Sequence, residues 1–399
     1  MYITEVHIVD YLRLNMESLN FMKLLENSIN EPGLGWTLCF IGEDQSKKLA
    51  ELTQELRGEF SETGDGKEIL SGFSYWGIGP TIAWNNACHD RFYLVMKESI
   101  ESFRYRWSQL YANRIGDRKY HYVSLGVGTG EKDKSILSLL LNSNPDLIYF
   151  PVDMSSEMLR LGVQQAIQET KLKGNHVFPI QIDFSIERNV SELRKLFDDI
   201  LKDTPIIFSL LGNTLANFQR DTELLQTLSQ IMRPDDRFLI EVATTEELNE
   251  EAAQKATKEY ESAKSFREFV TSALLQNTDL HIDLNSVSFD GYIEADRAIL
   301  IKILYRNLTG NKIDVMLPDR SVINFEARDT IRLLLTRKYT STGINKCISD
   351  SNFIVVDSLH TPLEPRLKNG FGMALMLLSP DSSRINNSSP IASDIWSKR

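Results

Sequence analysis

Cysteine is scarce in this chain: Cys39, Cys88 and Cys347 are its only three, far apart and never in a Cys-x-x-Cys pair. That argues against a disulfide framework and a zinc knuckle and points to a reducing compartment. Histidine is also sparse. His7, His89, His121, His176, His281 and His360 have no mutual spacing that would make them ligands, and no metal is expected. Positive charge falls short, with 44 Lys+Arg against 55 Asp+Glu and a formal net charge of −11. A protein that coats a nucleic-acid backbone needs the opposite field. No run approaches the ~18 apolar residues of a membrane span. The opening Met1-Tyr2-Ile3-Thr4-Glu5-Val6 lacks a basic-then-apolar leader. The expectation is a soluble cytoplasmic protein that engages neither membrane nor nucleic acid. Gly-x-Ser-x-Gly, the phosphate-loop pattern and internal repeats are missing as well.

What remains is an ordinary globular composition over 399 residues, 42% hydrophobic and 25% charged, enough for two or three units. Helical periodicity marks Asn15–Leu25 and Ser46–Arg57, and the glycines of Thr63–Pro80 interrupt the chain. From His89 to Tyr111 the series Phe92, Val95, Met96, Ile100, Phe103, Trp107, Leu110 predicts one long amphipathic helix. Between Tyr120 and Ala243 five short apolar runs (Tyr122–Leu125, Leu147–Val152, Val177–Ile182, Pro205–Leu210, Phe238–Val242) alternate with helical stretches. That alternation predicts a doubly wound, mostly parallel α/β sheet. A helical segment, Thr245–Gln276, follows. Strand-like runs come next at Val287–Tyr292, Ala298–Asn307, Lys312–Leu317, Ser321–Phe325, Asp329–Tyr339, Phe353–Ser358 and Gly372–Leu378. The expected division is an N-terminal extension (1–60), a helical part of a substrate domain (61–112) and an α/β core (113–244). An α+β insertion (245–336), a return to the core (337–378) and a polar, fraying tail (379–399) complete it.

The chemistry gathers where the first core strand ends, in Gly126-Val127-Gly128-Thr129-Gly130-Glu131-Lys132. Glycines at a strand-to-helix turn let a ligand lie against bare backbone. About 23 residues on, the next strand ends in Asp153, placed to accept from the two hydroxyls of a ribose. A third strand ends in Asp183-Phe184, an acceptor for an adenine amine beside an aromatic wall. A dinucleotide fingerprint would place its last glycine at position 131, which is Glu131, and a pyrophosphate there and near Glu157 would meet like charge. S-adenosylmethionine carries cations and no phosphate, so the pattern favours it. A Rossmann-like fold holding NAD or nothing, with Asp153 and Asp183 as helix caps, is the alternative.

These residues, together with Tyr149-Phe150-Pro151-Val152-Asp153-Met154-Ser155, Leu211-Gly212-Asn213-Thr214-Leu215-Ala216-Asn217-Phe218 and Arg233-Pro234-Asp235-Asp236, resemble the histidine-specific N-alpha-methyltransferase family of ergothioneine biosynthesis. The resemblance spans roughly residues 115–378. It implies a Rossmann-like class I methyltransferase core with a second α+β substrate domain, built from the N-terminal segment and the late insertion. It also implies that Gly126, Gly128, Gly130, Lys132, Asp153, Asp183 and Phe184 bind S-adenosylmethionine. Asn217 and Tyr260 fall where the family holds and orients the substrate, giving them catalytic as well as binding roles. Leu334 stands where the family has a glutamate for the imidazole ring, and Thr336 keeps a neighbouring hydroxyl. The family's Tyr-Tyr-Pro-Thr-Arg approach is reduced to Pro80-Thr81, with Tyr75 and Trp76 upstream as a possible lid or as packing.

An imidazole N–H without its acceptor costs about 1–3 kcal/mol when buried. The expected acceptor is therefore an amino acid or related amine other than histidine. Methyl transfer from a sulfonium is an in-line displacement that asks the protein mainly to position the acceptor and exclude water. Rival readings use another part of the donor, by aminopropyl transfer or cyclisation, or bind the donor without turnover.

Overall fold

The computed structural model describes residues 5–7, 38–42, 45–58, 66–168, 170, 172, 176–201, 203–363 and 370–381. The helix expected at Asn15–Leu25 and the tail beyond 381 lie outside them. Two short parallel strands, β1 (Glu5–His7) and β2 (Leu38–Phe40), precede helix α1 (Gln45–Arg57). The glycine-rich stretch yields β3 (Lys67–Glu68), a 3-10 turn at Ser71–Tyr75 and then α2 (Ile78–Cys88), a helix that the sequence pattern missed. The single helix expected over His89–Tyr111 is two, α3 (Leu94–Glu101) and α4 (Phe103–Leu110), followed by a π turn at Tyr111–Ile115. Most of the apolar stripe is nonetheless buried, with Val95, Met96, Phe103, Trp107 and Leu110 all in the core, Ile100 half-buried and Phe92 exposed.

The central sheet follows the predicted alternation. Its strands are β4 (His121–Leu125), β5 (Tyr149–Asp153), β6 (Ile180–Gln181), β7 (Ile206–Leu210) and β8 (Arg237–Thr245). Between them run α5 (Glu131–Ser143), α6 (Ser156–Ile167), α7 (Glu187–Leu201) and α8 (Asp221–Gln230). The parallel order is β6-β5-β4-β7-β8, so the chain winds outward from β4 in one direction and then the other. Every residue of β4, β5 and β7 is buried, as expected of strands with helices on both faces. Ligands in such sheets bind outside the carboxyl ends of the strands where the order reverses. Here that is the end of β4.

The insertion packs α9 (Glu250–Glu261) and α10 (Lys264–Asn277) against the antiparallel strands β9 (Val287–Glu294) and β10 (Ala298–Arg306). A small hairpin, β11 (Ile313–Met316) with β12 (Val322–Phe325), stands apart from the main sheet. Strand β13 (Thr330–Tyr339) pairs with β10 along its length and touches β8 at Tyr339–Thr244. It therefore runs across the expected 336/337 boundary and makes the insertion's sheet continuous with the core's. Helix α11 (Ser341–Asp350), unforeseen in the sequence, leads to β14 (Phe353–Pro362) and β15 (Phe371–Pro380). Strand β15 lies antiparallel between β8 and β14, and this completes the class I methyltransferase order. At the opposite edge, β2 adds parallel to β6.

Candidate active site

One deep cleft opens at the carboxyl ends of β4, β5, β6 and β7, enclosing about 1420 Å³ with its mouth. Its floor is the glycine turn. Gly126, Gly128 and Gly130 have φ of 72°, 54° and 78°, conformations that side chains strain to adopt. Gly130 is also sterically fixed, because a Cβ there would stand 2.0 Å from the carbonyl oxygen of Gly162. Gly126 and Gly128 instead face the cleft, leaving their backbone bare to a ligand. Beneath the turn Asp133 anchors the first turn of α5: Tyr122 Oη donates to its Oδ1 at 2.7 Å and Tyr149 Oη to its Oδ2 at 2.5 Å. Burial pushes the Asp133 carboxyl up to about 6, against the pull of the hydroxyls that donate to it.

Asp153 lies at the tip of β5, 6% exposed, and lines the cleft. Burial raises its carboxyl to about 7, although the backbone N–H groups of Ser155, Met154 and Gly128 oppose that rise. It is Ser155 that caps α6, through its side chain and Met158 N. Asp183 and Phe184 follow β6 and also line the cleft. Asp183 Oδ1 accepts from Ser185 N at 2.9 Å, and its Oδ2 accepts from Lys48 Nζ at 2.5 Å. Lys132 faces the cleft while donating to Glu241 Oε2 at 2.6 Å and to Ser99 Oγ. Arg106 Nη2 donates to the other Glu241 oxygen at 2.7 Å. Burial alone would raise the Glu241 carboxyl, but the two cations outweigh it and hold it below its usual value. Gly212 N donates to Glu241 Oε2 as well, tying the turn after β7 to this cluster. Glu131 lines the cleft beside the glycines, whereas Glu157 is not among the residues of its wall.

The opposite wall is aromatic. Tyr75 comes from the 3-10 turn and Trp84 from α2, with ring centroids 5.1 Å apart. Phe269 of α10 packs behind both, at 4.9 and 4.8 Å. Asn217 sits at the end of the 3-10 turn Thr214–Asn217, and its Nδ2 donates to Tyr75 Oη at 3.0 Å. Burial keeps the Tyr75 phenol well above its ordinary range, so it remains protonated. Met96, Phe218, Gln219 and Arg332 extend this wall, with Arg332 Nη1 donating to Gln219 Oε1 at 3.1 Å. Trp76, the other half of the proposed lid, is 7% exposed and packs edge-on to Phe73, away from the cleft.

Three expected substrate contacts stand outside the cleft wall. Tyr260 is 1% exposed in α9, its ring packed on Tyr93 and Phe266. Leu334 packs in the insertion's core opposite Ile303. Thr336 accepts from Asn213 Nδ2 at 3.1 Å. Asn213, at φ 64°, opens the turn that carries Asn217, and its Oδ1 accepts from Ala243 N at 2.8 Å. Tyr260 lies on α9 itself, while Leu334 and Thr336 lie on β13 toward the insertion's core and the Asn213 knot, so none of the three lines the cleft in this structure. The cleft is also lined by Trp84, Met96, Gln219 and Arg332, residues that the sequence reading did not assign to the site. Their only sequence signal was Trp84 lying between glycines and a histidine, too weak to find them.

No group of metal-binding residues occurs among the described residues, and no described helix is long and apolar enough to cross a membrane. No curated protein matches the sequence. Solved structures match the chain at low identity and low TM-score. A S-adenosylmethionine-dependent methyltransferase from Clostridium acetobutylicum is 13% identical with a TM-score of 0.37, matching 70% of this chain and 92% of that one. Magnesium protoporphyrin IX methyltransferase from Synechocystis is 10% identical at 0.39, covering 77% and 96%. The 1,6-didemethyltoxoflavin-N1-methyltransferase of Burkholderia thailandensis is 13% identical at 0.34, covering 70% and 79%. Residues 61–364 match the family described as histidine-specific methyltransferase, SAM-dependent, and the chain belongs to that family of S-adenosylmethionine-dependent methyltransferases.

Proposed function

We propose that this enzyme methylates the nitrogen of a small amine, an amino acid or close relative other than histidine, between the glycine turn and the Tyr75–Trp84 wall. The observation that carries the reading is the Asn217–Tyr75 hydrogen bond, 3.0 Å long, inside the cleft that also holds the glycines. The donor's expected ligands fit together there. Gly126 and Gly128 offer open backbone, Gly130 fixes the turn, and Asp153 offers carboxylate oxygens at ribose depth. Asp183 and Phe184 bound the adenine end, and Lys132 presents an ammonium to the donor's carboxylate.

When bound, S-adenosylmethionine supplies a methyl group already activated on a sulfonium. The chain then has to place the acceptor nitrogen and keep water out. Asn217 would hold the acceptor's backbone while Tyr75, a protonated phenol, donates rather than removes a proton. An amine needs no more, because its neutral form carries the attacking lone pair and loses its proton to water afterwards. A hydroxyl acceptor would need a general base, and Tyr75, Trp84, Asn217, Phe218, Gln219 and Arg332 contain none. Rings at Tyr75 and Trp84 also favour a neighbouring cation. Thr336 acts from behind by fixing Asn213 and with it the turn of Asn217, and β13 brings no carboxylate to hold an imidazole, Leu334 standing where the family has its glutamate.

The test is incubation with S-adenosylmethionine and a panel of amino acids and biogenic amines, read by mass spectrometry. The expected result is S-adenosylhomocysteine together with an N-methylated product from a compound other than histidine. Methylthioadenosine as the product, or robust histidine methylation, would contradict the reading.

A further inference from the structure

Helix α1 precedes the stretch that matches the family, yet it supplies part of the cleft. Its Leu52 and Leu56 are buried, and Lys48, one turn earlier, is only 6% exposed. Lysine is almost never buried so deeply unless paired. Its ammonium has two partners, Asp183 Oδ2 at 2.5 Å and Glu51 Oε2 at 2.9 Å. The segment is docked from both sides. Strand β2 adds to the free edge of β6, which leads straight into Asp183, and Glu55 Oε2 accepts from Leu70 N on the far side of the cleft. Asp183 Oδ1 is occupied twice, by Ser185 N at 2.9 Å and Ser185 Oγ at 2.5 Å. With Lys48 on Oδ2, the carboxylate is held in one orientation, with acceptor capacity left on Oδ2.

We propose that Lys48 is a positioning residue that sets the purine specificity of the donor site by holding the Asp183 carboxylate in one orientation. The proposal rests on the reading of Asp183 as the partner of adenine's 6-amine. An ionised carboxylate can accept from a 6-amino group and has no proton to offer a 6-oxo group, so the two purines are separated by a repulsive contact as well as a lost bond. A carboxylate free to rotate would blur that distinction, and Lys48 on Oδ2 fixes which acceptor position is left for the purine. Glu51 in turn restrains the ammonium from swinging out to serve the 6-oxo oxygen itself. The N-terminal extension thereby becomes a working part of the donor site rather than an appendage.

The experiment is calorimetric titration of the full chain with S-adenosylhomocysteine and with its 6-oxo counterpart, S-inosylhomocysteine. Wild type, Lys48→Met, Lys48→Gln, Lys48→Arg and Asp183→Ala are compared, with thermal melting as a check on folding. Wild type is expected to prefer the 6-amino ligand by about a hundredfold, and Lys48→Met to shrink that preference about tenfold through loss of the charge-assisted contact. Lys48→Arg restores it, whereas Lys48→Gln, which keeps a donor without charge and serves if the Met variant misfolds, falls between. A purely structural role would lower both affinities together and leave their ratio alone. An unchanged ratio in Lys48→Met and Lys48→Gln, with a collapsed ratio in Asp183→Ala, overturns the proposal. An unchanged ratio in Asp183→Ala as well brings down the adenine reading itself, and Lys48's role with it.

Discussion

The two walls of the cleft are built in different ways. The wall proposed for the donor is local: glycine turn, Asp153 and Asp183 each follow their own strand in regular order along one sheet. The acceptor wall is assembled from Tyr75, Trp84, Asn217 and Arg332, which lie on a 3-10 turn, a helix, a second 3-10 turn and a strand of the insertion. A local constellation leaves its spacing in the sequence. A distributed one leaves nothing but tertiary contacts.

Several substitutions sharpen or break that division. The largest effect is expected on the donor side, where Gly130→Ala would drive a Cβ into the Gly162 backbone at a position of φ 78°. A strained backbone and a clash with main chain each cost about 1–3 kcal/mol, so the variant should melt markedly lower or fail to fold. A melting curve equal to wild type would show the turn to be pliable. Next comes Asp153→Ala, which should weaken S-adenosylhomocysteine by about a hundredfold in calorimetry, two hydrogen bonds to a carboxylate being lost, with the melting curve retained. On the acceptor side Asn217→Ala should leave donor affinity unchanged and lower turnover by about a hundredfold through misplacement of the acceptor. If Asn217→Ala instead weakened the donor, the two walls would not be separable.

A smaller effect concerns pH. Burial raises the Asp153 carboxyl to about 7, and in the proposed site ribose hydroxyls would donate to its ionised form. Affinity for S-adenosylhomocysteine should therefore be full above that value and fall by about tenfold between pH 8 and pH 6 as the group takes up its proton. Asp153→Asn should flatten the profile, and a flat wild-type profile would remove Asp153 from the contact. The smallest change is expected for Thr336→Val, which removes the acceptor for Asn213 Nδ2 without touching the cleft. Turnover should drop by about three- to tenfold, the worth of one buried hydrogen bond, while donor affinity stays put.

The alternation of apolar runs and helices was enough to predict the order of β4 to β8, because each strand is buried on both faces and reads as a continuous apolar run. Helix α2 escaped because Gly77, Gly79 and Pro80 open it, residues that signal a break unless the helix starts there. The stripe from Phe92 to Leu110 was right about burial from Val95 onward, apart from the half-buried Ile100, and wrong at Phe92, which is exposed, and about continuity, since the helix breaks at Ser102. Tyr260 and Leu334 were placed by motif alone. Sequence register cannot say which face of β13 meets the cleft, and the face carrying Leu334 and Thr336 turns to α9 and α10. Lys48 had no motif at all, and only the docking of β2 on β6 brings it to Asp183.

A crystal structure of the enzyme with S-adenosylhomocysteine tests the account most directly. The account predicts the ribose hydroxyls on Asp153, the purine between Phe184 and the Lys48–Asp183 pair, and the sulfur directed toward Asn217 and Tyr75. The same ligand bound with its ribose away from Asp153, or its sulfur turned away from Tyr75, would contradict it.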